Sequence, residues 1–306
     1  MNSGGHWLLI ANPQAGGGRS RHHLAALQHA LADAGIAFVL RYTHSPHHAT
    51  RLASEALAEG CRRFVVIGGD GTLNEVVNGL YRQPQLASQC WLTVFPCGTG
   101  NDWAAQYRLP QDVPGFVAML RQPQLARQDI GRVTFAGDQP AHFFINFAGA
   151  GFDSFLLAEM GAAGGQRWRY LSTLLKCLRR FAAATMSVAG GGQQLQVPAL
   201  MTMACIGRYG GAGMQLAPAA RPDDGLLDVL LIRDLPFLQR LLSLGQLFNG
   251  RIHRHRAVSA WQCESLSLAA DAPLQLQCDG ELAGWLPACI ELVPQPLTVV
   301  IRPAGA

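Results

Sequence analysis

Hydrophobic and polar positions alternate along this chain in two textures. Over the first hundred residues, short apolar runs are separated by stretches with helical spacing. Trp7–Ala11, Phe38–Arg41, Phe64–Ile67 and Trp91–Phe95 read as strands. Between them, Ser20–Ala34 carries Leu24, Leu27 and Leu31 on one face and stops at Gly35, and Ala49–Ala58 is a second helix. Leu73, Val76, Val77 and Leu80 fall at i, i+3, i+4 and i+7, the apolar stripe of a third. Regular strand–helix–strand units predict a parallel sheet flanked by helices.

From about Arg132 the texture changes to short β-rich runs: His142–Phe147, Val197–Ile206, Leu226–Ile232, Ser265–Leu268, Leu274–Gln277 and Ile290–Val293. Two helical stretches interrupt them, Arg167–Ala184 and Pro236–Asn249, and Gly161–Gly165 and Gly190–Gly192 read as flexible loops. This pattern predicts an antiparallel sandwich.

Composition narrows the class. With 49% hydrophobic and 14% charged residues over 306 positions, the chain is globular, with room for two domains. A net charge of +4 suits phosphate ligands or an anionic membrane surface and is too weak to argue for nucleic acid. The N-terminus lacks the basic and apolar regions of a signal peptide, and no run approaches a membrane span. The 8 cysteines show no CxxC spacing and read as reduced, buried thiols of a cytoplasmic protein.

The candidate chemistry begins at Gly68-Gly69-Asp70-Gly71-Thr72, which joins a β-branched run to a helix. Main-chain N–H groups of such a turn and the helix N-terminus both favour phosphate. Thr72, with Glu75 three residues on, predicts a capping box. Two more glycine turns follow strands, Asn12–Gly18 and Gly98-Thr99-Gly100-Asn101-Asp102, and in a parallel sheet all three should meet at one edge. The first lacks the GK[ST] of a Walker loop and fits either a plain strand-to-helix loop or a phosphate cradle with Arg19 as a cation near the nucleotide. Asn101 and Asp102 offer an amide and a carboxylate at that edge, although either could cap the next helix.

Elsewhere the alternatives stay open. Asp279 and Glu281 of Cys278-Asp279-Gly280-Glu281 fit a hairpin turn or a general base. Arg221-Pro222-Asp223-Asp224-Gly225 fits a polar turn or oxygen ligands for Mg²⁺. Asp129 in isolation is a turn residue. Arg167, Arg169, Lys176, Arg179 and Arg180 on one apolar helix, and Arg251, Arg254 and Arg256 after another, fit a solvated face or docking on an anionic membrane.

Asn12-Pro13…Gly16, GGDGTLNEV at 68–76, GTGND at 98–102, APAARPDDGLLDV at 217–229 and CDGE at 278–281 resemble, in order, the motifs of the diacylglycerol-kinase catalytic family. That family includes bacterial lipid kinases and the sphingosine and ceramide kinases. The resemblance implies an α/β nucleotide domain over residues 1–130, to which 295–306 return as a last strand. It implies a β-sandwich lipid domain over 131–294, with the active site in the cleft between the two. It implies an ATP- and Mg²⁺-dependent phosphotransferase of phospholipid biosynthesis that meets a lipid at the membrane surface; a homodimer is compatible with it. Asn12, Pro13, Gly16, Thr43, Gly68, Gly69, Asp70, Gly71, Thr72, Asn74 and Thr99 would line the nucleotide, beside Arg19 and Asn101. Asp279 would be the base with Glu281 beside it. Asp102 and Asp129 would join the catalytic and metal network, with Mg²⁺ held through carboxylates such as Asp102 and Asp70. Asp224 with main-chain oxygens of Arg221 and Leu226 would form a structural Mg²⁺ site. Gln14-Ala15 departs from the family pattern, which often has Ser or Thr before the glycine. The rivals are a soluble-substrate kinase such as an NAD kinase, which shares GGDG, and a catalytically silent nucleotide- or lipid-binding protein.

Overall fold

A computed structural model describes residues 5–160, 167–248 and 250–302. The loop reading of Gly161–Gly165 lies outside these residues, as does Asn249. The chain forms two compact units, residues up to Ile130 rejoined by those from Val293 onward, and Gly131–Leu292.

The first unit opens with β1 (Trp7–Ala11), α1 (Arg19–Asp33), β2 (Phe38–Tyr42), α2 (His48–Ala58), β3 (Arg63–Gly68) and α3 (Asp70–Leu80). It continues with α4 (Pro84–Ala87), β4 (Trp91–Pro96), α5 (Asp102–Gln106), α6 (Val113–Arg121) and β5 (Gln124–Gln128). The second unit opens with β6 (Gly131–Phe135), β7 (His142–Phe144), β8 (Phe147–Gly151), α7 (Phe152–Met160) and α8 (Arg167–Arg180). Next come β9 (Thr185–Gly190), β10 (Gln193–Cys205), β11 (Tyr209–Gly210), β12 (Met214–Gln215), β13 (Leu227–Arg233) and α9 (Phe237–Phe248). It closes with β14 (Val258–Cys263), β15 (Ser265–Ala270), β16 (Gln275–Cys278), β17 (Glu281–Trp285) and β18 (Ala288–Leu292), after which β19 (Leu297–Ile301) returns to the first unit.

The first sheet has the order β2-β1-β3-β4-β19-β5. All its neighbours are parallel except β19 and β5. Covered by helices, β1 is wholly buried and β3 and β4 nearly so, which is why their sequences are continuous apolar runs. Leu24, Leu27 and Leu31 are the buried stripe of α1, as the spacing predicts.

The second unit is an antiparallel sandwich. Its long strand β10 pairs with β9 through Gln193–Pro198 and with β8 and β13 through Met201–Cys205, so one strand serves both layers. Phe144, Val188, Leu231, Leu266 and Ile290 are fully buried in its core. The predicted run His142–Phe147 is two strands broken at Ile145-Asn146, and α7, which spacing does not reveal, follows Gly151 directly. No helix among the described residues is long and apolar enough to cross a membrane. All eight cysteines are free and seven are buried; burial pushes the Cys90 thiol up to about 12.

Candidate active site

In the first unit β1, β3 and β4 are adjacent and parallel, so their C-terminal turns lie side by side. Asn12 N–H donates to Ile67 O (2.9 Å) and Cys97 N–H to Gly68 O (2.8 Å), which locks the three turns into one edge. The approach excludes side chains. A Cβ on Gly98 would stand 2.5 Å from Gly69 Cα, and one on Gly16, whose φ is +60°, would stand 2.0 Å from Cys97 O. Only glycine meets both demands, close approach and left-handed backbone.

Polar side chains tie the turns together. The Arg19 guanidinium donates to Gly16 O (3.1 Å) and to Gly98 O (2.9 Å), joining first turn to third. Asn12 Nδ2 donates to Thr72 Oγ1 (3.2 Å), joining the first turn to α3, while Asn12 Oδ1 accepts from Gln14 N (3.0 Å). Asn101, in the left-handed region at φ 57°, brackets Gly98 by accepting from its N–H (2.9 Å) and donating to its O (3.0 Å). Thr43 follows β2 at the same edge, its N–H donating to Ala11 O (2.9 Å). Pro13 is half-buried in the first turn, Gly71 lies in the first turn of α3, and Thr99 is exposed at the tip of the third glycine turn. Asn74 is buried and accepts from Asn78 Nδ2 at both its O (2.9 Å) and its Oδ1 (3.0 Å).

Two local expectations are corrected. Helix α3 begins at Asp70 with Gly69 as N-cap and has no side-chain cap, so Thr72 and Glu75 form no capping box. Glu75 instead reaches across to α2, accepting from His47 N (2.9 Å) and Ala49 N (3.0 Å) at that helix's N-terminus. Asn101 does not cap α5 with its side chain either. That role falls to Asp70, whose carboxylate accepts from Asp102 N (3.1 Å) and Trp103 N (3.2 Å). Asp70 thereby holds the second and third turns together, and Asp102 is buried beside it.

Asp129 is not brought to this edge. Gln128 pairs with Leu297, and the following Thr298 pairs with Trp91, so Asp129 lies where β4 begins and the glycine turns lie where it ends. Its neighbour Gln128, which nothing in the sequence singles out, is fully buried and accepts from both Trp103 Nε1 (3.1 Å) and the Tyr107 hydroxyl (2.7 Å).

In the second unit Asp279 and Gly280 are the two central residues of the β16–β17 hairpin, both with positive φ, 50° and 88°. The Asp-Gly hairpin expectation is met, but the Asp279 side chain is turned inward and only 7% of the residue is exposed. Its Oδ2 accepts from Ile145 N (2.8 Å), and its Oδ1 from Asn146 N (3.0 Å) and Phe147 N (2.9 Å). These are the residues at which the β7–β8 run breaks. Three main-chain N–H groups aimed at one group are complementary to an ionised carboxylate. Glu281, opening β17, is exposed.

Behind this turn lies a residue that the sequence does not reveal. Gln277 is buried; its Oε1 accepts from Gly280 N (2.9 Å) and its Nε2 donates to Asp153 Oδ2 (2.9 Å). Asp153 Oδ1 is shut from solvent with no hydrogen-bond partner. Burial pushes the Asp153 carboxyl up to about 6, against the smaller opposing effect of its hydrogen bonds, that from Gln277 first. A side chain at Gly149 would stand 2.4 Å from Asp153 Oδ2, so glycine there makes room for it. Nothing local marks Asp153; only the pairing of β8 with β16 places Gln277 over it.

The 221–226 segment is a turn in which Arg221 pairs with Asp223 (3.7 Å) and Asp224 Oδ1 accepts from Leu226 N (3.1 Å). Burial pushes the Asp228 carboxyl up, against the opposing effect of its hydrogen bond with Gln262, and the charge on Asp224 adds to the rise. Among the described residues no group of three or more His, Cys, Asp or Glu side chains could hold a metal ion. A hard cation such as Mg²⁺ would therefore rely on one or two carboxylates together with ligand, water or main-chain oxygens, its ordinary habit in phosphoryl-transfer sites.

The glycine edge yields a direct prediction. Gly98→Ala puts a methyl group against Gly69 Cα and 2.7 Å from Asn101 Oδ1. Overpacking of this kind costs about 1–3 kcal/mol. Thermal melting should register that loss and calorimetry at least a tenfold fall in nucleotide affinity. Unchanged affinity would remove the turn from the nucleotide site.

Comparison with known proteins agrees with this geometry. The diacylglycerol kinase catalytic domain family matches residues 6–133, and the YegS C-terminal NAD kinase beta sandwich-like domain family matches residues 149–301. A probable lipid kinase YegS-like of Xanthomonas campestris pv. campestris is 30% identical over 90% of this chain and 89% of its own. One from Pseudomonas putida is 33% identical over 82% of this chain and 81% of its own. Among solved structures, a putative diacylglycerol kinase from Bacillus anthracis str. Sterne superposes with a TM-score of 0.79 at 25% identity, covering 99% of each chain. With both units matched and the motifs in order, the chain belongs to the diacylglycerol kinase catalytic domain family.

Proposed function

We propose that this protein is an ATP-dependent lipid kinase that transfers the γ-phosphoryl group to a lipid hydroxyl, of diacylglycerol or a related lipid, at a membrane surface. The observation that carries this reading is the convergence of three glycine turns and the uncapped N-terminus of α3 at one sheet edge, a ready cradle for a polyphosphate. The main-chain N–H groups around Gly16, Gly69 and Gly98 would hold the phosphates. Arg19 and Asn12 keep the turns in register, and Asn74 and Thr43 would border the nucleotide. Asp279 would accept the proton of the attacking hydroxyl, Ile145–Phe147 fixing its direction. Asp102 would supply a carboxylate to Mg²⁺, with Asp70 aligning the turn that carries it; Mg²⁺ when bound offsets charge on the transferred group. Asp224, with main-chain oxygens of Arg221 and Leu226, would hold a second, structural Mg²⁺.

The test is incubation of the purified protein with γ-labelled ATP and a total lipid extract, then identification of the labelled product. Label in a chloroform-soluble phosphate that disappears with EDTA is the expected result. Label in NADP on incubation with NAD would favour the soluble-substrate rival, and nucleotide binding without transfer to any acceptor would mark a silent binding protein.

A further inference from the structure

Helix α9 exposes large apolar side chains while burying two polar ones. Its outward positions are leucines: Leu238 is 64% exposed and Leu242 70%, one turn apart, with Phe237 44% exposed beside them. Its inward face carries two buried polar residues, Arg240 and Ser243, each only 9% exposed, beside Leu241, which packs against the apolar core. Arg240 is held there by the end of α8. Its guanidinium donates to Leu178 O (3.0 Å) and Phe181 O (2.9 Å), capping that helix's last carbonyls, and it also pairs with Asp234. The orientation is therefore locked by hydrogen bonds, and the leucines face outward as a consequence.

Helix α8, packed against α9, continues this surface with exposed Leu175 and with Lys176 and Arg179, both exposed. Residues 160–222 contain no Asp or Glu, nor do residues 235–263. The latter span follows α9 with Arg251, Arg254 and Arg256, all exposed. Two of the acids that bound these spans are paired, Glu159 with Arg180 (3.2 Å) and Asp234 with Arg240.

An apolar ridge flanked only by cations fits one surface, an anionic lipid bilayer. Leucines enter the acyl boundary while Lys and Arg meet the headgroups. A second copy of the chain would bring the same positive charge to the same face and be repelled. We propose that α9, through Leu238, Leu242 and Phe237 and with Lys176 and Arg179 of α8, is the element by which this protein docks on anionic membranes. The proposal rests on the reading of the chain as a kinase of lipids, since a docking face is needed to meet that substrate.

The experiment is co-sedimentation of the full chain with vesicles of phosphatidylcholine alone or in equal parts with phosphatidylglycerol. The wild type should bind the anionic vesicles and release from them as salt rises. Leu238→Ser/Leu242→Ser should partition at least tenfold more weakly, and Lys176→Gln/Arg179→Gln about 25-fold more weakly, at about fivefold per cation. Both pairs are exposed, so melting curves should match the wild type, and phosphate transfer to lipid dispersed in detergent micelles should be unchanged. Equal vesicle binding by the leucine variant, or a wild-type dimer that those substitutions dissolve in the absence of vesicle binding, would overturn the proposal. Transfer in micelles without vesicle binding would sink the docking face and leave the kinase reading standing. Vesicle binding that follows Leu238 and Leu242 without transfer to any lipid would do the reverse.

Discussion

Asp279→Asn is expected to lower the rate of phosphate transfer about 10²–10⁴-fold, the usual cost of losing a positioned proton acceptor. The same change should lower stability by about 1–3 kcal/mol. Asparagine offers one oxygen where aspartate offers two. If that oxygen takes the place of Oδ1 it can still accept from Asn146 and Phe147, but the amide then faces the Ile145 N–H and leaves that buried donor unsatisfied. Two readouts separate the roles. Proton acceptance predicts a fall in kcat at unchanged nucleotide affinity in protein that is still folded at the assay temperature. A purely structural role predicts that activity returns when the assay is run well below the lowered melting temperature. Full activity in a folded variant would end the assignment.

Asp153→Asn is expected to act in opposite directions on stability and on turnover. The Asp153 carboxyl sits at about 6 in the folded chain, above its ordinary 3.8. The folded state therefore holds that proton more tightly than the unfolded state does. Stability from this group is greatest below pH about 4, falls as pH rises through about 6, and is flat above. Asparagine removes the cost of ionisation, so at pH 8 the variant should be more stable by about 1–3 kcal/mol, because each tenfold difference in proton affinity between the folded and unfolded states is worth about 1.36 kcal/mol. The difference should close toward pH 4 in denaturant titrations. Turnover should nonetheless fall about 10- to 100-fold. An ionised carboxylate can only accept, so it orients the Gln277 amide with its oxygen toward Gly280 N–H. An asparagine can present either end, and the turn that carries Asp279 loses its single orientation. A variant with wild-type pH dependence of stability would refute the buried, ionisable carboxyl. One that gains stability and keeps full turnover would refute its positioning role. A buried group that costs stability and remains beside a candidate site is what functional strain looks like.

The candidate site is legible in proportion to how local its parts are. Gly16, Gly69 and Gly98 can be placed at one edge from sequence because parallel strands carry their C-terminal turns to the same side. The Asp279-Gly280 turn is legible because positive φ at two successive residues has few sequence solutions. Glu75 misleads because a capping box and a reach to another helix use the same residue, and only the packing of α2 on α3 tells them apart. Asp70 is legible as part of its glycine turn, but that its carboxylate also caps α5 follows only from the packing of the second turn on the third. Asp129 fits the constellation by its motif, but the antiparallel pairing of β5 with β19 puts it at the far end of the sheet.

By itself the sequence determined the two textures, the α/β and sandwich classes they produce, and the glycine turns with their shared edge. Those follow from side-chain periodicity and from the backbone conformations that glycine alone tolerates, both of which act over a few residues. Only the tertiary structure decided that Asp279 faces three main-chain N–H groups, that Asp153 lies beneath it through Gln277, and that α9 shows leucines outward. Each of those depends on groups distant in the chain, and hydrogen-bond partners across strands or helices leave no mark on the spacing of either partner.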